Sequence, residues 1–182
     1  MGQKVNPHGL RVGVITDWDS RWYARNDQVG DLIGADYNIR KFLKKTLCSA
    51  GVPTIEIERD SNKGRIYNHC SRPGVVIGKG GAEIEKLQAQ VSKMIGKPVA
   101  LSIVEVRTPD TNAQLVAESV ALQLEKRMSF RRAMKQAIGK TMRAGVKGVK
   151  IMVSGRLDGR EIAGTEKYHE GSIPLQTLRA DI

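Results

Sequence analysis

Between Val76 and Ile84 the chain reads Val-Ile-Gly-Lys-Gly-Gly-Ala-Glu-Ile, and no other stretch constrains its fold as tightly. Glycines at 78, 80 and 81 admit left-handed backbone and let another chain approach closely. Next, Ile84, Leu87, Val91, Met94 and Ile95 recur at helical spacing from Ala82 to Ile95, and Gly96-Lys97-Pro98 stops that helix. A helix start offers unpaired N–H groups and the positive end of the dipole. Lys79 adds a mobile cation at the loop tip. Gly78, Lys79, Gly80 and Gly81 are therefore the candidate clamp for a sugar-phosphate backbone.

The flanking pattern places this loop inside a small α/β module. Asp36 is the expected cap of a helix over 37–49, with Ile39, Phe42, Leu43 and Leu47 on one face and Gly51 beyond its end. Residues 54–58 and 65–70 alternate apolar and polar as half-buried strands do, around a turn at 60–64. A third strand is expected over 99–106. Residues 1–36 read as a loop-rich arm, with a turn at Asn6-Pro7-His8-Gly9. Its Trp18, Trp22 and Tyr23 beside Arg21 and Arg25 suit either a packed anchor or stacking on bases, and packing is the commoner use. Arg107-Thr108-Pro109-Asp110 marks a boundary. Beyond it, helices are expected over 112–126 and 130–144, then strands over 149–153 and 161–168 around a Gly-rich turn.

Charge separates these parts. The chain carries 30 Lys+Arg against 19 Asp+Glu. Residues 37–107 hold thirteen cations and six anions, net +7; residues 127–182 hold twelve and five, again net +7. A mildly acidic stretch divides them, so two contact surfaces are expected. The sharpest feature is the run Arg127, Arg131, Arg132, Lys135, Lys140, Arg143, Lys147 and Lys150, with no acid among them. On the helix over 130–144, Phe130, Ala133, Met134, Ala137, Ile138 and Met142 form the apolar stripe, and the cations fall opposite. Uncompensated cations repel one another, so a polyanion is implied.

Other chemistries find no support. No apolar run approaches the roughly 18 residues of a membrane span, and Asn6 breaks a myristoylation pattern. Cys48 and Cys70 form no paired motif and read as small core residues. His8, His69 and His169 are isolated, so no metal site is expected. Gly139-Lys140-Thr141 lacks the first glycine of a phosphate loop, Met134 standing there, and Glu83 replaces the last glycine of a dinucleotide fingerprint. Carboxylates are scattered rather than paired for catalysis. No enzyme activity, cofactor or small-molecule substrate is expected.

The loop in its setting (helix, strand, strand, short helix, Gly-x-x-Gly, helix, strand) resembles a type II KH domain, an RNA-binding module. The wider chain resembles the bacterial-type family of small-subunit ribosomal protein S-three. The resemblance rests on Gly2-Gln3-Lys4-Val5-Asn6-Pro7 with Gly9-Leu10-Arg11, Arg72-Pro73-Gly74-Val75-Val76-Ile77-Gly78, Phe130-Arg131-Arg132-Ala133-Met134-Lys135, Ser154-Gly155-Arg156-Leu157, and 174–182. It implies an α+β fold with three parts: an N-terminal arm over 1–36, a KH domain over 37–107, and a smaller C-terminal helix-and-sheet domain over 108–182.

It further implies a structural role in the small-subunit head of the cytoplasmic ribosome. The partners would be small-subunit rRNA, neighbouring head proteins and messenger RNA (mRNA). Arg131, Arg132 and Lys135 would line the channel through which mRNA enters and help unwind it, with Arg127, Lys140 and Arg143 on the same basic helix. Lys4, Arg11, Arg72 and Arg156 are further candidate RNA contacts. Family members usually continue past Ala180-Asp181-Ile182, so a shortened C-terminal domain is expected. The alternative is a free-standing KH regulator of single-stranded RNA, which would leave the arm and the second basic block without a role.

Overall fold

The computed structural model describes residues 5–60 and 63–182, and the chain divides into two compact units. One runs from Asp17 to Arg107. The other joins the described residues up to Thr16 to Thr108–Ile182. The N-terminal segment is thus shared between the two, parting at Thr16.

The second unit opens with a short helix, α1 (Pro7–Arg11). Proline suits the first helical position, and the Asn6 side chain accepts the His8 N–H at 3.0 Å. The expected turn is therefore a capped helical turn. In the first unit a two-residue strand, β1 (Ser20–Arg21), precedes α2 (Asn26–Thr46). Strands β2 (Ile55–Arg59) and β3 (Gly64–Cys70) form the expected hairpin, with Ile57 opposite Ile66. Then come α3 (Pro73–Ile77), the glycine loop, α4 (Ala82–Ile95) and β4 (Val99–Glu105).

The sheet order is β1-β2-β3-β4; β1 runs parallel to β2, β2 antiparallel to β3, and β3 parallel to β4. Ile39 and Leu43 of α2, with Leu47 just past its end, share one cluster with Ile55, Ile57, Ile66, Val76, Leu87, Val91, Val99 and Leu101. Each large aliphatic side chain so buried contributes about 1.5–3 kcal/mol. Cys70 lies in this cluster, where burial, with the Glu105 carboxylate adding to it, pushes its thiol pKa up. Cys48, expected in the core, is exposed instead, because α2 ends at Thr46 and a 3-10 turn turns that side chain outward. Met94, expected on the buried stripe of α4, is also largely exposed.

The structure corrects the start of α2. The helix begins at Asn26, ten residues ahead of the expected cap, and Asp36 lies within it. Its carboxylate is 2% exposed and accepts hydrogen bonds from Ser20 Oγ at 3.0 Å, Trp22 Nε1 at 2.8 Å and Arg59 Nε at 2.8 Å. A tertiary partner set, not a local cap, explains the aspartate. Trp22 is thereby a packed anchor, whereas Trp18 and Tyr23 lie exposed.

The second unit continues with α5 (Ala113–Glu125), α6 (Phe130–Arg143), β5 (Gly148–Gly155) and β6 (Gly164–Gly171). Asn112 caps α5 by accepting the Gln114 and Leu115 N–H groups. The last strand starts three residues later than its alternation suggests, because Leu157–Gly159 and the residues after it form the turn. Among the described residues of this unit, Val120 of α5 and Phe130, Ala133, Met134, Ala137 and Ile138 of α6 are the buried apolar side chains.

Candidate nucleic-acid interface

The glycine loop has the backbone that its composition requires. Gly78, Gly80 and Gly81 have φ of 70°, 64° and 84°, in the region where a side chain is strained. At Gly78 space is also closed: a Cβ would sit 2.7 Å from Glu83 Cγ. Around Gly80 and Gly81 nothing lies within 4 Å of a built Cβ, so the tip is open to another chain. Lys79 projects exposed from that tip, and Gly81 leads into α4 with no side chain capping its first N–H groups. Glu83 and Glu85 in the first turn favour the helix dipole but would oppose an anion there. Backbone contact at the tip is therefore the geometry this loop offers to a phosphate. Arg72, exposed, precedes α3.

Helix α6 is amphipathic as expected, with Thr141 rather than Met142 completing its buried face. Arg131, Arg132, Lys135, Lys140 and Arg143 are all exposed. No ion pair among the described residues involves any of them. The Arg131 guanidinium lies 5.4 Å from the Phe130 ring centroid, which restrains it. Ser129, Arg131, Arg132, Lys135 and Gln136 line an open depression of about 610 Å³. Arg127, in the link before the helix, is exposed with φ of 58°.

Other expected contacts fare differently. Lys4 lies outside the described residues. Arg156 is exposed, and its Nε–H donates to the Arg160 carbonyl at 2.8 Å, bracing the turn after β5. Arg11 is a correction: it is 1% exposed and cannot reach an RNA surface. Its guanidinium donates to the carbonyl oxygens of Ala180 at 2.6 Å, Thr177 at 2.9 Å, Leu175 at 3.2 Å and Pro7 at 2.9 Å. It fastens the C-terminal segment to α1. The cation run is also divided: Lys150 lies on β5, away from the α6 surface. Period-two alternation sets Lys150 apart from the helix and puts Lys167 and His169 on one face of β6, but the strand register is what joins the two.

The first unit's outer sheet face is self-neutralised. Arg21 pairs with Asp17 at 3.1 Å and Glu56 at 3.5 Å, and His69 Nε2 lies 3.1 Å from Glu56. Among the described residues no group of three His, Cys, Asp or Glu could hold a metal ion, and no helix is long and apolar enough to cross a membrane.

Comparison with known proteins agrees with both units. The family described as KH domain matches residues 38–111, and that described as ribosomal protein S3, C-terminal domain, matches residues 120–182. Along its whole length the chain is 63% identical to small ribosomal subunit protein uS3 of Lachnoclostridium phytofermentans, and 61% identical to that of Agathobacter rectalis. It covers 83% of each. It is 62% identical to the uS3 of Clostridioides difficile and covers 68% of it.

Proposed function

Because this chain belongs to the uS3 family of small-ribosomal-subunit proteins, we propose that its α6 surface guides mRNA into the small subunit, while the glycine loop and its neighbours hold rRNA. The family is one of structural ribosomal proteins, and this member carries the KH domain and the C-terminal domain that define it. On this reading the protein works in the ribosome of the cytoplasm, against rRNA, mRNA and adjacent head proteins.

The observation that carries the reading is the face of α6. Five exposed cations stand there without a carboxylate partner among the described residues. Arg131 and Lys135, one helical turn apart, repel each other in the free protein, and a sugar-phosphate chain removes that penalty. The helix lies on its own buried stripe, so the cations are presented by a rigid support rather than by a loop. Arginine forks grip phosphate in two directions, which suits holding a strand while base pairs ahead of it open. In the first unit, Gly78–Gly81 gives backbone access and Lys79 a point charge, and Arg72 adds a second cation.

If about four α6 side chains reach single-stranded phosphates, affinity falls with log[salt] at a slope near −2.8, at roughly −0.7 per contact. The test replaces Arg131, Arg132 and Lys135 together with alanine. All three side chains are exposed, so the fold is expected to persist. Ribosomes carrying the triple variant should translate hairpin-containing messages poorly relative to unstructured ones. Equal relative efficiency on the two messages would overturn the assignment.

A further inference from the structure

The eight cations between Arg127 and Lys150 do not form one surface. Lys150 sits on β5, which pairs antiparallel with β6 so that Lys150 faces His169, Met152 faces Lys167, and Ser154 faces Thr165. Strand alternation puts these six side chains on one face, and all six are exposed. Val149, Ile151, Val153, Glu166 and Tyr168 alternate to the other face, are half-buried, and lie on the side where α6 packs. The outward face is therefore turned away from α6.

Its chemistry is one-sided. Lys150 and Lys167 are diagonal neighbours, and the His169 imidazole, directly opposite Lys150, offers ring nitrogens for hydrogen bonding. No carboxylate shares this face to offset the two ammonium groups, so a polyanion is its electrostatic complement. The strand carboxylates are elsewhere: Glu166 alternates to the inner face and takes Arg160 at 3.3 Å, and Glu170 stands opposite Val149. Ser154 and Thr165 share a hydrogen bond at 3.0 Å and leave further acceptor and donor capacity outward. The face carries no Phe, Tyr or Trp, and its one large apolar side chain is Met152. Sheets that bind single strands stack bases on aromatic rings. This one lacks that platform and offers cations and hydroxyls, groups that meet phosphates and sugars rather than base faces, which suits the backbone of a double helix.

We propose that the outer face of β5–β6 is a second RNA-binding surface of this unit, built from Lys150, Lys167, His169, Ser154 and Thr165, and that it takes the phosphates of double-helical RNA. This goes beyond the reading above, which concerns α6 and the glycine loop. The unit then holds a duplex on its sheet side and a single strand on its helix side.

The test uses the purified full chain and two probes, a short RNA duplex and an oligouridylate, titrated across a salt series. Lys150→Gln with Lys167→Gln should reduce the duplex salt slope by about 1.8, at roughly 0.9 per phosphate contact, and leave the oligouridylate slope unchanged. The α6 triple variant should do the converse. An unchanged duplex slope, with β5–β6 amides still protected from exchange, overturns the proposal. Acetylation of the wild-type chain gives an answer that does not depend on any variant folding. Duplex RNA should shield Lys150 and Lys167, and absence of shielding counts against the surface. In intact small subunits, shielding of these lysines that survives ribonuclease digestion would mean a protein covers the face, and would equally overturn it.

Discussion

The Asp17–Arg107 unit and the unit that contains the chain's two ends hold together by different means. In the first, residues from α2, α3, α4 and three strands converge on one cluster, with Leu43, Ala50, Cys70, Val76 and Val91 wholly excluded from solvent. In the second, the buried apolar set is smaller and confined to α5 and α6, and the inner face of β5–β6 is only half covered. Among the described residues, the Arg11 guanidinium ties α1 to the C-terminal segment, with carbonyl partners up to 169 residues away. A cation among backbone carbonyls is directional, so it fixes the path of the C-terminal segment where packing alone would leave several. The lesson is that a hydrophobic core and a polar knot stabilise different things. The core sets whether a unit folds, and the knot sets where a poorly packed segment lies.

Three substitutions would break or sharpen this contrast. The largest effect is expected from Asp36→Ala, which strands Arg59 and leaves Ser20 and Trp22 without their acceptor. Removing one partner of a buried ion pair costs about 3–5 kcal/mol. Urea unfolding should show that loss in the first unit, and the Cys70 thiol, wholly buried in its core, should become alkylated faster. Wild-type alkylation kinetics would mean that the carboxylate is not holding this unit closed.

Arg11→Ala should cost less, about 2–3 kcal/mol from hydrogen bonds to a charged donor, and should act locally. The Thr177 and Ala180 amides, which close the turns of the tail, should exchange faster while Cys70 stays protected. Equal loosening of both units would remove the distinction between knot and core. The smallest effect has the opposite sign. The Asn68 side-chain amide is buried on β3 with no hydrogen-bond partner among the described residues. Asn68→Val should raise the stability of the first unit by about 1–2 kcal/mol, the cost of an unpaired polar group. A chemical melt in which the variant unfolds earlier than wild type would show that the amide is satisfied after all.

Legibility in the sequence followed the range of the interactions. The glycine loop, α4, the β2–β3 hairpin and the amphipathic pattern of α6 were readable because each follows from neighbours three or four residues apart, or from simple alternation. The exposed cations of α6 were readable for the same reason. Asp36 was misread as a cap because an aspartate ahead of an apolar stripe looks the same whether its partners are the next N–H groups or a distant arginine. Arg11 looked like one more basic residue of an arm, and nothing near it in sequence reveals its carbonyl partners. The split of the cation run was half visible: the helix period separates Arg131 from Met134, but only strand pairing shows that Lys150 shares a face with Lys167 and His169.

The sequence alone therefore determined the module and its chemistry, namely a glycine loop beside a helix start and a cation-rich helix without acids, because these depend on local periodicity and on residue type. Tertiary structure decided which charges remain available. Arg11 and Asp36 were drawn into the interior, while Lys79, Arg131, Arg132 and Lys135 were left outward. The physical reason is that a charge is costly to bury without partners, and whether partners exist is settled only when segments far apart in the chain come together.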